Sequence, residues 1–105
     1  MLDMFLPGHA TRVVVYTKPV PMNWGPDRLR RFCKEEMNVE PTRGTVALFF
    51  NRAQDTLKLY WVGTNGDEML TRKLTTGAFL LPTGKPGQSY VVLKPAALPS
   101  LFRTK

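Results

Sequence analysis

The run Thr45-Val46-Ala47-Leu48-Phe49-Phe50-Asn51 reads as a strand that is apolar on both faces, and any fold for this chain has to be built around it. A polar link, Arg52-Ala53-Gln54-Asp55, separates it from a second strand over Thr56 to Val62, and the two together read as a hairpin. In the second strand Leu57, Leu59 and Trp61 alternate with Lys58, Tyr60 and Val62. The first set is assigned to the core, the second to an amphipathic face.

Upstream, Arg12-Val13-Val14-Val15-Tyr16 has the β-branched and aromatic density of a strand. Pro19 and Pro21 stop it, because proline lacks the N–H that a sheet ladder needs. Gly25-Pro26 then opens a helix, with proline suited to the first helical position. From Asp27 to Met37 the spacing of Leu29, Phe32, Cys33 and Met37 puts all four on one helical face. The other face carries Arg28, Arg30, Arg31, Lys34, Glu35 and Glu36, and Asn38 and Pro41 close the helix. Asp27 and Arg31 form an i, i+4 pair worth roughly 0.2 to 0.5 kcal/mol.

Downstream, Gly63-Thr64-Asn65-Gly66 is a turn, and Glu68 to Leu74 and Ala78 to Leu81 read as two short strands. A loop over Pro82 to Gln88 leads to a last strand, Ser89 to Leu93, and a short helix is expected from Pro95 to Phe102. The predicted fold class is α+β: a mostly antiparallel β-sheet with one long helix packed on it and a short C-terminal helix. A length of 105 residues suits one small basic domain over 1–105, and 43% hydrophobic and 10% aromatic residues are enough for a core.

One Cys, Cys33, and one His, His9, build neither a closed zinc site nor an intramolecular disulfide. No apolar run approaches the ~18 to 20 residues of a membrane span, and the first residues lack the cationic start and cleavage site of a secretory signal. The expected setting is cytoplasmic, with no membrane partner.

Catalytic machinery is not evident in the sequence. Gly63-Thr64-Asn65-Gly66 lacks the spacing and the following Lys-Ser/Thr of a phosphate loop, and His9 has no acidic partner close in sequence. Cys33 falls on the apolar helix face and reads as core filler. The carboxylates Asp3, Asp27, Glu35, Glu36, Glu40, Asp55, Asp67 and Glu68 are scattered, whereas a two-metal site needs them convergent. Neither a metal nor a cofactor is expected.

What remains is charge. Fifteen Lys and Arg against eight Asp and Glu give a net charge of +7, which suits phosphate contacts and counterion release. A solubility charge is the other reading. Tyr60 beside Lys58, and Trp24 ahead of the helix, are aromatic neighbours of cations of the kind that stack bases, with ordinary packing as the alternative for either.

An ordered set of motifs adds a context. Met22, Gly25, Asp27 and Leu29 come first; Gly44, Phe49, Asn51 and Arg52 follow, continued by Lys58-Leu59-Tyr60-Trp61. Next is Arg72-Lys73-Leu74-Thr75-Thr76-Gly77-Ala78-Phe79-Leu80-Leu81-Pro82, and Leu93, Pro95, Leu98 and Leu101 end the series. From Met22 onward the chain thus resembles the TnpB accessory transposition proteins of the insertion sequence 66 family, the products of the second open reading frame of such elements. It departs from them where Met22-Asn23-Trp24 replaces M-R-K, losing two cations beside the helix start, and where Pro26 replaces an aromatic residue.

The resemblance implies a non-catalytic helper of a separate transposase, in a setting of mobile DNA. Combined with the charge, it leads to an accessory protein that binds DNA, a transposase or both. Arg28, Arg31, Lys58, Arg72 and Lys73 are the candidate contacts to phosphate or to an acidic partner. The alternative is a protein-interaction module, a phage- or plasmid-encoded regulator or inhibitor of a host protein, with Met22, Trp24 and Phe102 as its anchors. The sequence leaves the oligomeric state open.

Overall fold

The structure, a computed structural model, describes residues 10–82 and 84–97. The elements are β1 (Arg12–Tyr16), α1 (Pro26–Glu35), β2 (Thr45–Phe50), β3 (Thr56–Val62), β4 (Asp67–Lys73) and β5 (Tyr90–Leu93). They form a five-stranded sheet in the order β4-β3-β2-β1-β5, with α1 packed against it. Three of the four strand pairs are antiparallel. The parallel pair is β1 with β2, Val13 opposite Val46, because α1 lies between them and carries the chain back to the starting edge.

β2 is buried along its whole length, as a strand without a polar face must be. One side of the sheet presents Val14, Ala47, Phe49 and Tyr60 to Leu29, Cys33 and Met37 of the helix and its exit. The other side presents Val13, Val15, Val46, Leu48, Phe50, Leu57 and Leu59. Trp61 packs there half-buried beside the residues with which it alternates.

Among the described residues no helix covers that second side. Its cover is the segment after β4, where Leu74, Phe79 and Leu81 pack on the sheet. This corrects the expected strand over Ala78 to Leu81. Phe79 N–H donates to Gln54 O at 2.7 Å, and Gln54 Nε2 donates to Phe79 O at 3.1 Å, so the segment bonds to the β2–β3 turn instead of joining a ladder. Gly77, at φ 83°, turns the chain so that Phe79 drops into the core, its ring 5.5 Å from that of Phe50.

α1 starts as expected, with proline at its first turn and Gly25 as a cap that offers no side chain. It is shorter than the apolar stripe suggests. Asn38, at φ 57°, is a left-handed stop, and Val39 N–H donates back to Cys33 O at 2.7 Å, leaving Met37 buried beyond the helix. Towards the C-terminus, Pro95–Ala97 form one 3₁₀ turn in place of the first turn of the expected helix. The rest of that helix, with Phe102, lies outside the described residues, as do Asp3 and His9.

Candidate nucleic-acid interface

The lysine and tyrosine of the Lys58-Leu59-Tyr60-Trp61 motif point from β3 towards α1. The structure corrects the expectation that Lys58 faces a partner. It is only 6% exposed, and its ammonium donates to Trp24 O at 2.8 Å. A long aliphatic stem crosses the interior while the charged end holds the loop that delivers α1. Met69 Sδ lies 3.9 Å from the same nitrogen.

Tyr60 is buried in the same way and is not a stacking platform. Its hydroxyl donates to Asp67 Oδ1 at 2.9 Å, and Arg30 Nη1 donates to the same oxygen at 2.9 Å. Burial, then the hydrogen bond and charge of Asp67, hold the phenol above its ordinary titration range. Asp67 in turn raises the Arg30 guanidinium. These three side chains tie α1, β3 and β4 together, so the cation at position 30 is spent on structure.

The remaining candidates separate. Arg28 and Arg31 are exposed on α1, and the Arg28 guanidinium stacks 4.5 Å from the centre of the Trp24 ring. Lys73 ends β4 opposite Thr56, on the helix side of the sheet and exposed. Arg72 alternates to the other side, opposite Leu57. Thus only Arg28 and Arg31 of the five lie together. Met22 and Trp24 are half-buried against the helix-side core, and the Trp24 ring sits 5.1 Å from that of Phe32.

The Asn51-Arg52 pair has a structural half and an outward half. Asn51 Oδ1 accepts from Asp55 N–H and Thr56 N–H at 3.1 Å each, and its Nδ2 donates to Asp55 Oδ1 at 2.7 Å. Those bonds from Asn51 and Thr56 hold the Asp55 carboxyl below its usual range. Arg52 stays exposed at the tip of the turn. Cys33 is buried and its thiol is pushed up to about 12 by that burial.

Among the described residues no group of three or more His, Cys, Asp and Glu is placed to hold a metal ion, and no helix is long and apolar enough to cross a membrane. The chemistry available at the surface is that of permanent positive charge. Among the described residues eleven Lys and Arg are exposed against five Asp and Glu.

Comparison with known proteins gives two matches. The model of the family described as "IS66 Orf2 like protein" matches residues 11–104. An uncharacterized protein of Sinorhizobium fredii, y4hO, is 28% identical over 95 residues, which is 90% of this chain and 81% of that protein. No solved structure matches.

Proposed function

The chain belongs to the IS66 Orf2-like family, and from that premise we propose that it serves an insertion sequence by binding DNA, the transposase of the element, or both, through its basic surface. Proteins of this family are accessory factors and not enzymes. The observation that carries the binding half is the excess of exposed cations, eleven against five exposed acids among the described residues. Charge of that kind attracts phosphates without reading sequence and releases counterions on contact. Of the cations named from the sequence, Arg28 and Arg31 on α1 and Lys73 at the end of β4 are exposed and so available to this reading; Lys58 is withdrawn from it by burial.

Binding of the full chain to random-sequence duplex DNA, followed through a salt titration, tests the nucleic-acid half. Affinity that falls steeply as salt rises from about 50 to about 200 mM is the expected result. No binding at the low end of that range overturns it. Co-purification with the transposase of the element at low salt, persisting after nuclease treatment, tests the protein half; loss of the complex on nuclease treatment overturns that half, and a complex that also survives high salt favours instead a protein-interaction module without a charge-based contact.

A further inference from the structure

Four exposed cations from four distant parts of the sequence meet at one end of the sheet. Lys73 is the last residue of β4 and pairs with Thr56 at the start of β3. Arg52 stands in the turn between β2 and β3. Lys18 follows β1, where Val20 N–H donates to Phe50 O at 2.9 Å and holds that segment against the end of β2. Lys85 lies in the loop that enters β5, and Thr17 ties that loop to the end of β1 through Ser89 O at 3.1 Å. Read across the strand order β4-β3-β2-β1-β5, the cations run Lys73, Arg52, Lys18, Lys85. With neighbouring strands ~4.8 Å apart, the row is about 15 to 20 Å long.

Most of the described acids lie away from this end. Glu35 ends α1 at its far end and Glu36 and Glu40 follow it, while Asp67 and Glu68 open β4 at the opposite end of the sheet. Asp55, which does lie near the row, is hydrogen-bonded to Asn51 and Thr56 and also feels the charge of Lys73. Asp27 is the exception: it sits in the first turn of α1, which starts at this end, and lines a concavity with Arg30 and Arg31. Among the described residues none of the four cations is held in an ion pair. α1 also runs away from this end, since Trp24 before it meets Lys58 and Arg30 within it meets Asp67. At its start Asp27, in the first turn, offsets the positive terminus of the helix.

We propose that the row Lys73, Arg52, Lys18 and Lys85 is the phosphate-contact surface of this protein for duplex DNA. This rests on the reading of the protein as DNA-binding and gives that reading a place on the fold. A protein partner would need a broad apolar centre to its contact; among the described residues the exposed large apolar residues, Leu70 and Val92, sit on β4 and β5 away from the row, and the apolar surface beside it is a concavity where Pro19, Pro21, Met22 and Ala53 adjoin Arg52. A single strand would need rings to stack on, and Tyr16 and Tyr90, at this end, pack into the helix-side core. Four exposed charges in a row along the sheet end fit the regular anionic backbone of a duplex.

Two variants of the full chain with equal loss of charge decide the matter: K18Q/R52Q/K73Q/K85Q at this end, and R12Q/K34Q/R43Q/K94Q at other exposed positions. At a slope of ~0.9 per phosphate, four contacts weaken wild-type binding about 100-fold between about 50 and about 200 mM salt. The first variant is expected to bind at least about tenfold more weakly at low salt and to lose most of that slope, and the second to keep it. Circular dichroism melts of both confirm that they fold. If wild type binds DNA and the two variants weaken equally, or the first not at all, the row is overturned while the DNA-binding reading stands. If wild type does not bind DNA, both fall.

Discussion

Lys58 Nζ donates to Trp24 O at 2.8 Å across 34 residues of sequence, so a buried lysine fixes the loop from which the helix starts. Lys58→Ala removes a charge-assisted hydrogen bond and leaves the carbonyl without its donor, at a cost of about 2 to 3 kcal/mol. Lys58→Met restores the stem but not the donor and should fall between the two. Urea unfolding of the three proteins checks this; equal midpoints would refute the role assigned to Lys58.

Tyr60 gives the protein an alkaline weakness. Its phenol titrates higher in the folded chain than its ordinary value of about 10, because burial and Asp67 favour the protonated form. The stabilisation is therefore complete below pH ~10 and declines as pH rises above it. Tyr60→Phe should lose about 1 kcal/mol at neutral pH, from the hydrogen bond to Asp67, and show a flatter decline in alkali. Urea midpoints at pH values on either side of 10 measure both effects, and parallel curves for the two proteins would count against the assignment.

Cys33 is a thiol by environment. Burial pushes it up to about 12, so at mild alkaline pH it is protonated as well as enclosed. A disulfide reagent such as Ellman's should label the native protein only at the rate at which it opens, and should label it at once in urea. Rapid stoichiometric labelling without denaturant would contradict the burial.

Phe79 is the cover of the second sheet face. Phe79→Ala should cost about 3 to 5 kcal/mol, the range for a fully buried aromatic ring. Gly77→Ala acts through the backbone, since φ 83° disfavours an L side chain by about 1 to 2 kcal/mol. Thermal melts of the two variants should rank them in that order. A Phe79→Ala protein as stable as wild type would mean that the segment after β4 does not close the core.

Much of the fold is readable in the chain because its elements announce themselves locally. β2 has no polar face, α1 has an apolar stripe and a proline start, and the Asn51 to Thr56 stretch is a turn held by its own side chains. Lys58 is different: alternation places it beside Tyr60, but what buries it is the loop at Trp24, far away in sequence. Ala78 to Leu81 has the residues of a strand, yet Phe79 finds its backbone partners in the turn at Gln54. The cations were visible as chemistry, but Lys18, Arg52, Lys73 and Lys85 share a side only through the strand order.

β1 sits between β2 and β5, the first paired with it in parallel and the second antiparallel, with Tyr16 opposite Tyr90. Helix α1 and strands β2, β3 and β4 are all encoded between those two residues. During synthesis the ribosome therefore releases β1 long before the strand that closes its outer edge exists. The β2-β3-β4 meander can assemble from neighbours as it emerges, whereas the hydrophobic Val13-Val14-Val15 edge waits for nearly the whole chain. A nascent chain halted before β5 has the outer backbone edge of β1 unpaired, the kind of open edge that templates strand addition.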